Sequence, residues 1–177
     1  MFDPTVFENL KVAFENRLYD LDNLDEIISI TGRSDLMDFA VLGRSLSIRF
    51  IRTGQPDVEA EICLSAGAEE LAGEILEKSV PDPGCTLAVR FFAKMERIST
   101  GCERIEAMLN QIWEEGIRVE QTLSFVYPEE EQVWLNRIEA KFHSKLGEEN
   151  INELGPFIDS VLEAMDAIGQ IRTRGDK

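Results

Sequence analysis

The stretch SLSIRFIRTGQPDVEAEICL, residues 45–64, decides the fold of this chain. Apolar residues occupy every second position on both sides of the turn-rich segment 53–57; they are Leu46, Ile48 and Phe50, then Val58, Ala60, Ile62 and Leu64. Such alternation is typical of strands with one buried and one wetted face. We therefore predict an antiparallel β-hairpin over residues 44–65. A turn centred on Gln55 places Arg49 opposite Glu61 on the wetted face.

Residues 27–31 predict a short strand before Gly32, and apolar alternation predicts two further strands, over residues 86–95 and 117–126. Gln121 stands on the apolar side of the last of these strands and breaks its pattern. Phe92 is the one bulky residue on the outer side of strand 86–95, where contact with a helix would cover it.

Spacings of three and four between apolar residues predict helices over 4–19, 34–43, 67–78 and 101–115. The same spacing predicts two C-terminal helices. One is lined by Trp134, Leu135, Ile138, Phe142 and Leu146, and the other follows the break at Gly155 and Pro156.

These elements predict an α+β fold with an antiparallel or mixed sheet of four to five strands, helices on one face and two C-terminal helices. The segment that joins strand 86–95 to strand 117–126 through a helix is compatible with a parallel crossover or an antiparallel return. No long linker and no internal repeat interrupts the chain, so we expect residues 1–177 to form one domain.

The chain has 18 basic and 34 acidic residues and a formal net charge of -16. The charge is -8 on each side of the point after Met95, so it belongs to the whole surface. Its field favours solubility and repels phosphate backbones and anionic lipid surfaces. We expect no nucleic-acid or membrane partner, although an acidic surface also leaves open attraction of a basic protein or mimicry of DNA.

The three cysteines, Cys63, Cys85 and Cys102, are odd in number and lack the spacing of a zinc or redox motif. The N-terminus has no basic region followed by an apolar stretch, and no apolar run approaches the roughly 20 residues of a membrane span. These observations predict a cytoplasmic protein. Cys102 falls in the first turn of a predicted helix, where the helix dipole can lower the pKa of a thiol, so it is the first candidate for a reactive cysteine. Glu103 and Glu106 oppose this effect because their charges favour the protonated thiol.

Motifs for catalysis and cofactor binding are missing from the sequence. His143 is the single histidine and follows Glu139 by four residues, so on a helix the two would pair at the surface. The acidic segment 20–31 lacks the glycine and the final carboxylate of an EF-hand loop. Neither glycine-rich phosphate-binding motif is present. We therefore predict no metal, no cofactor and no catalytic residue, and the sequence leaves open whether the chain is an enzyme.

Recognition of another protein, or of a second copy, is the function that these absences favour. The predicted contact surface is the apolar stripe of the C-terminal region, which consists of Ile151, Leu154, Ile158, Val161, Met165 and Ile168. The alternative is a small-molecule-binding protein or enzyme with a pocket between the sheet and the helices, built from carboxylates, arginines or Cys102.

Overall fold

The computed structural model describes residues 5–79, 83–127 and 133–173. Within these ranges the elements follow in the order α1 (Thr5–Asn23), β1 (Ile28–Asp38), β2 (Gly43–Arg52), β3 (Gln55–Ala66), α2 (Ala68–Ile75), β4 (Thr86–Met95), α3 (Ile98–Ile112), β5 (Ile117–Ser124), β6 (Trp134–Phe142), a 3-10 helix (Glu148–Glu153) and α4 (Leu154–Thr173). The fold is α+β, as the sequence predicts.

The described strands form one six-stranded sheet in the order β1-β2-β3-β4-β6-β5, and all neighbours are antiparallel. Because β4 and β5 both run antiparallel to β6, they run parallel to each other with β6 between them. The connection from β4 through α3 to β5 is therefore a parallel crossover, and β6 occupies the position between the two strands that it joins.

The central hairpin has the predicted register. Leu46 pairs with Leu64, Ile48 with Ile62, and Arg49 with Glu61. The even-numbered apolar residues of both strands are buried. The period of two along the sequence thus assigns each side chain to its face of the sheet.

The inner face of the sheet forms one core with α1, α3 and α4. α1 packs on β1 and β3, and α4 packs on β3 and β4. The aromatic ring of Trp113, just after α3, stacks on Phe91 of β4, and its indole N–H donates to Ser160 of α4 at 2.8 Å. Among the described residues no helix combines the length and the hydropathy that crossing a lipid bilayer requires.

The prediction of a helix from Trp134 to Leu146 is wrong, because this segment forms β6 and adds a sixth strand to the sheet. Two residues of β6 depart from the alternation of buried apolar and exposed polar residues that predicts a strand. Asn136 is polar but fully buried, and Leu135 is apolar but faces outward. Asn136 donates to the side-chain carbonyl of Gln121 at 2.9 Å, and Gln121 donates to the Cys102 carbonyl of α3 at 2.8 Å. This polar bridge also explains the irregular Gln121 of β5.

The prediction of a helix over 34–43 is also wrong. β1 continues to Asp38, beyond the predicted strand 27–31, and a turn over residues 39–42 leads into β2. Pairing with β2 explains this extension, because Ser34, Leu36 and Asp38 lie opposite Ser47, Ser45 and Gly43. The apolar residues that suggested a helix face are exposed instead.

The terminal helices differ from prediction mainly at their ends. α1 continues to Asn23, beyond the predicted end at residue 19, and so includes the first residues of the acidic segment, while residue 4 of the predicted helix lies outside the described residues. Gly155 and Pro156 belong to the first turn of α4, which follows the 3-10 helix directly. The described residues therefore end in one long helix, α4, since the other predicted C-terminal helix is β6.

Candidate functional site

The candidate catalytic and metal-binding residues of the sequence do not come together in one site. They either form structural contacts or lie far from one another. Glu139 lies in β6 and forms ion pairs with arginines and a lysine, whereas His143 follows the strand. A helical pairing of the two is therefore ruled out. In the acidic segment, Asp22 accepts a hydrogen bond from the Ile30 backbone at 2.9 Å and so joins α1 to β1. No group of three or more metal-binding side chains occurs among the described residues.

Burial makes all three thiols less acidic than an ordinary cysteine. It raises the pKa of Cys63, on the outer face of β3, to about 12, and neighbouring Glu61 adds to the shift. Burial raises the pKa of Cys85 to about 12 as well and also raises the pKa of Cys102. Since the thiolate is the nucleophile, the position of Cys102 near the start of α3 does not activate it.

We expect slow alkylation of the folded protein by iodoacetamide at neutral pH. A thiol with a pKa near 12 holds roughly a thousandfold less thiolate than one near 8.5, so Cys63 and Cys85 should react at most about a hundredth as fast as in the urea-unfolded chain. Cys102 should react more slowly than when unfolded. Mass spectrometry of time points in buffer and in urea measures the three rates. If Cys102 is alkylated at the same rate in the folded and the unfolded chain, burial does not suppress its reactivity and Cys102 is again a candidate reactive thiol.

The apolar stripe of the C-terminal region serves the core of the chain itself. Ile158, Val161 and Ile168 are fully buried, Leu154 and Met165 are nearly so, and Ile151 packs partly buried against the same core. The stripe meets β3 and β4, so in this fold it is not exposed to a partner. Protein binding remains a prediction, and it needs a different surface.

A different apolar surface exists at the turn between β1 and β2. We call it the apolar tip and define it by five large side chains, each between 40% and 73% exposed: Leu36, Met37, Phe39, Val41 and Leu42. The turn itself reads Phe-Ala-Val-Leu over residues 39–42 and lacks the Gly, Asn, Asp or Pro that turns ordinarily use. Leu42 adopts a φ of 53°, a conformation that non-glycine residues rarely take. Neither turn chemistry nor burial explains this composition.

The outer face of the sheet carries a charge cluster, formed by Arg49, Glu59, Glu61, Arg90, Arg137, Glu139 and Lys141. Glu61 lies 3.3 Å from both Arg49 and Arg90. Arg49 also places its guanidinium 4.6 Å from the ring centre of Phe92, which therefore contacts an arginine rather than a helix.

Glu139 is the centre of the cluster on β6. Its Oε2 lies 2.5 Å from Nε of Arg90 and 3.2 Å from Nη2 of Arg137. Its Oε1 lies 3.3 Å from Nζ of Lys141. Burial alone would raise the pKa of Glu139, but hydrogen bonds from Arg90 and Lys141 and the nearby guanidinium charges lower it overall. Glu139 is therefore ionised at neutral pH, and its charge holds three cations in place.

The cluster presents its positive charges to the solvent. The side chains of Glu61 and Glu139 are only 6% and 7% exposed, whereas those of Arg90, Arg137 and Lys141 are 32% to 53% exposed. These two carboxylates thus lie beneath the cations. In a chain with a net charge of -16, this arrangement makes the local surface opposite in sign to the average.

A shallow groove of about 500 Å³ runs across the outer face from the apolar tip to this cluster. Leu36 lines one end, and Arg90, Arg137, Glu139 and Lys141 line the other. Small hydroxyl-bearing residues of β1 to β4 also line the groove: Ser34, Ser45, Ser47, Ser65 and Thr86. The groove holds three cations and one carboxylate, and it provides hydrogen-bonding hydroxyls along its floor.

A second cavity, of about 370 Å³, lies beside α1 and α2 and is lined by Val6, Phe7, Leu71 and Cys85 among others. Its two carboxylates already hold the fold together. Glu74 accepts a hydrogen bond from the Val6 backbone at 2.8 Å, and Glu70 pairs with Lys145 at 2.5 Å, which lowers the pKa of Glu70.

The sequence alone predicts that Arg49 lies opposite Glu61, but it does not predict the β6 members of the cluster, because the apolar spacing in residues 134–146 predicts a helix. The missed signal is a charge at every second position, Arg137, Glu139 and Lys141, which is typical of one face of a strand. For the apolar tip, the signal was a turn-length run of apolar residues directly before Gly43.

Comparison of the chain with protein-family models, curated proteins and solved structures found no match in any of the three.

Proposed function

We propose that this chain is a non-catalytic protein-binding domain and that the apolar tip is its contact surface. The tip carries the proposal. Five large apolar side chains within seven residues are exposed, and none of them is needed to form the core. A local group of exposed large apolar side chains usually marks a binding site, because hiding such side chains from water stabilises a complex.

The state of the reactive side chains supports binding over catalysis. Cys63, Cys85 and Cys102 have raised pKa values. Glu139, the nearly buried carboxylate of β6, is ionised and held by three cations, so it does not have the raised pKa of a general acid.

The cavity beside α1 and α2 gives less support to a small-molecule function. Its volume lies within the range of ligand pockets, but a polar ligand needs convergent groups that are not already engaged. Glu70 and Glu74 instead connect α2 to Lys145 and to α1. We therefore prefer the apolar tip.

The variant Leu36→Ser, Phe39→Ser, Val41→Ser tests the proposal. We expect the wild-type protein to enrich apolar peptides from a displayed random library, or to self-associate at micromolar concentration in sedimentation velocity. The triple variant should weaken either interaction at least about tenfold, because each truncated apolar anchor typically loses about 1 kcal/mol or more.

Urea unfolding provides the control for this experiment. The three side chains are exposed, so the free energy of unfolding should change by less than about 1 kcal/mol in the triple variant. A wild-type protein that stays monomeric and enriches no peptide would contradict the proposal. Equal binding by wild type and triple variant would show that the tip is not the contact surface.

A further inference from the structure

From the charge cluster and the groove we infer the chemistry of the partner: an extended peptide segment with apolar side chains at one end and carboxylates at the other, lying in the groove across the outer face of the sheet. This inference rests on the proposed function and goes beyond it. The apolar end would contact Leu36 and the rest of the apolar tip. The acidic end would lie over Arg90, Arg137 and Lys141.

The sign of the partner's charge follows from the depth of the groups in the cluster. Glu139 and Glu61 are almost fully covered, while the guanidinium and ammonium groups reach the solvent. Carboxylates of a partner would approach the cations before they approach either glutamate. Arginine can also bind a carboxylate through two N–H groups at once, which favours this ligand chemistry.

The overall charge of -16 does not prevent such an approach at physiological salt. The Debye length is about 8 Å there, so a peptide in the groove senses mainly the charges that line it. The groove lining has a surplus of two positive units, from Arg90, Arg137 and Lys141 against Glu139. The rest of the charge cluster, Arg49 with Glu59 and Glu61, reduces this surplus to one.

The length of the groove favours a peptide over a small anion. Leu36 lies on β1 and Lys141 on β6, which are four strand spacings apart in the sheet. At about 4.8 Å per spacing this is roughly 19 Å, or about six residues of extended chain. A small anion would use only the cationic end. An extended peptide would also bring its backbone groups to the hydroxyls of Ser45, Ser65 and Thr86.

A second copy of this chain fits the groove less well. Packing two outer faces together would place the solvent-exposed cations of both copies, Arg137 and Lys141, in one interface. Like charges in contact weaken an interface unless opposite charges separate them.

Fluorescence polarisation with synthetic peptides tests the inference. The probe is a fluorescein-labelled peptide with two leucines and two glutamates separated by a serine-glycine spacer, so that the two ends lie about six residues apart. One control replaces the glutamates by lysines. A second has the same composition with leucines and glutamates adjacent. We expect the first probe to bind at least about fivefold more tightly than either control.

The double variant Arg137→Gln, Lys141→Gln should weaken binding of the probe by about fivefold, because it removes two partly exposed cations from the groove. The matched variant Arg97→Gln, Arg104→Gln also removes two cations, but these lie at α3 on the other side of the sheet, so its affinity should equal that of wild type. Urea unfolding of both variants checks that the fold is retained.

Photo-cross-linking locates the peptide without relying on any variant. A benzophenone in the spacer should label residues of the groove floor on β2, β3 or β4, and mass spectrometry identifies them. Labelling only at the apolar tip or elsewhere would overturn the inference.

The outcomes also separate this inference from the proposed function. If the triple-serine variant abolishes binding while the lysine peptide binds as well as the glutamate peptide, the tip binds protein but the groove does not select acidic segments. If a single-stranded oligonucleotide binds as tightly as the glutamate peptide, the groove recognises phosphate and the inference is wrong. If no peptide binds and no self-association occurs, both proposals fail.

Discussion

Replacing Phe91 by alanine should lower the free energy of unfolding by about 3–5 kcal/mol. Phe91 lies in β4 with no exposed surface, between Ala60 of β3 and Ile138 of β6. Its ring stacks on Trp113 at 6.4 Å between centroids, so the substitution removes buried area and an aromatic contact together. Urea denaturation followed by tryptophan fluorescence measures the change.

The matched control is Phe39→Ala, which makes the same chemical change at the apolar tip. Phe39 is 73% exposed, so the free energy of unfolding should change by less than about 0.5 kcal/mol. When peptide binding is measured instead, Phe39→Ala should show the larger loss of affinity, because only Phe39 belongs to the proposed contact surface. Comparable destabilisation by both substitutions would show that the tip is part of the stable core.

Replacing Glu139 by glutamine should destabilise the protein by about 2–3 kcal/mol at neutral pH. The substitution removes the charge that Arg90, Arg137 and Lys141 share, and a nearly buried carboxylate with charged partners contributes more than an exposed ion pair. The cations are partly exposed and regain water, which keeps the loss below that of a fully buried pair.

The effect of Glu139→Gln should depend on pH in a defined direction. The pKa of Glu139 is lowered below its ordinary value of 4.5 in the folded protein. Its contribution to stability is therefore complete above pH 4.5 and is lost as the pH falls through the lower, folded-state pKa. Urea midpoints of wild type and variant should differ most at pH 6 to 7 and converge progressively as the pH falls below 4.5. Asp35 and Glu70 also titrate there with lowered pKa values, but they are common to both proteins and cancel in the difference.

Glu120→Gln is the control for this experiment. Glu120 lies on β5 directly opposite Glu139 and is exposed. Like charges on opposed strand positions repel each other, so its neutralisation should leave stability unchanged or raise it slightly. A loss equal to that of Glu139→Gln would mean that the total charge of the sheet matters and that the central position of Glu139 does not.

Binding surfaces were harder to predict from the sequence than the core. The stripe from Ile151 to Ile168 has the spacing of a packing seam, but spacing alone does not reveal whether the seam meets its own sheet or a partner. The segment 34–43 contains apolar residues at helix-like intervals, and the pairing of β1 with β2 overrides that local pattern. The charge cluster unites four residues of β2, β3 and β4 with three others more than forty positions away on β6.

By itself the sequence determined the hairpin over 44–65, its register and the strand 86–95, because each has an unbroken period of two that allows only one face to be buried. Tertiary structure alone decided that residues 134–142 form a strand, that the terminal stripe joins the core and that Arg137, Glu139 and Lys141 meet Arg90. In those cases the stabilising partner is distant in sequence: Gln121 makes it possible to bury Asn136, and β3 and β4 cover the apolar face of α4. A local pattern records which side chains avoid water, and only the folded chain determines what they contact instead.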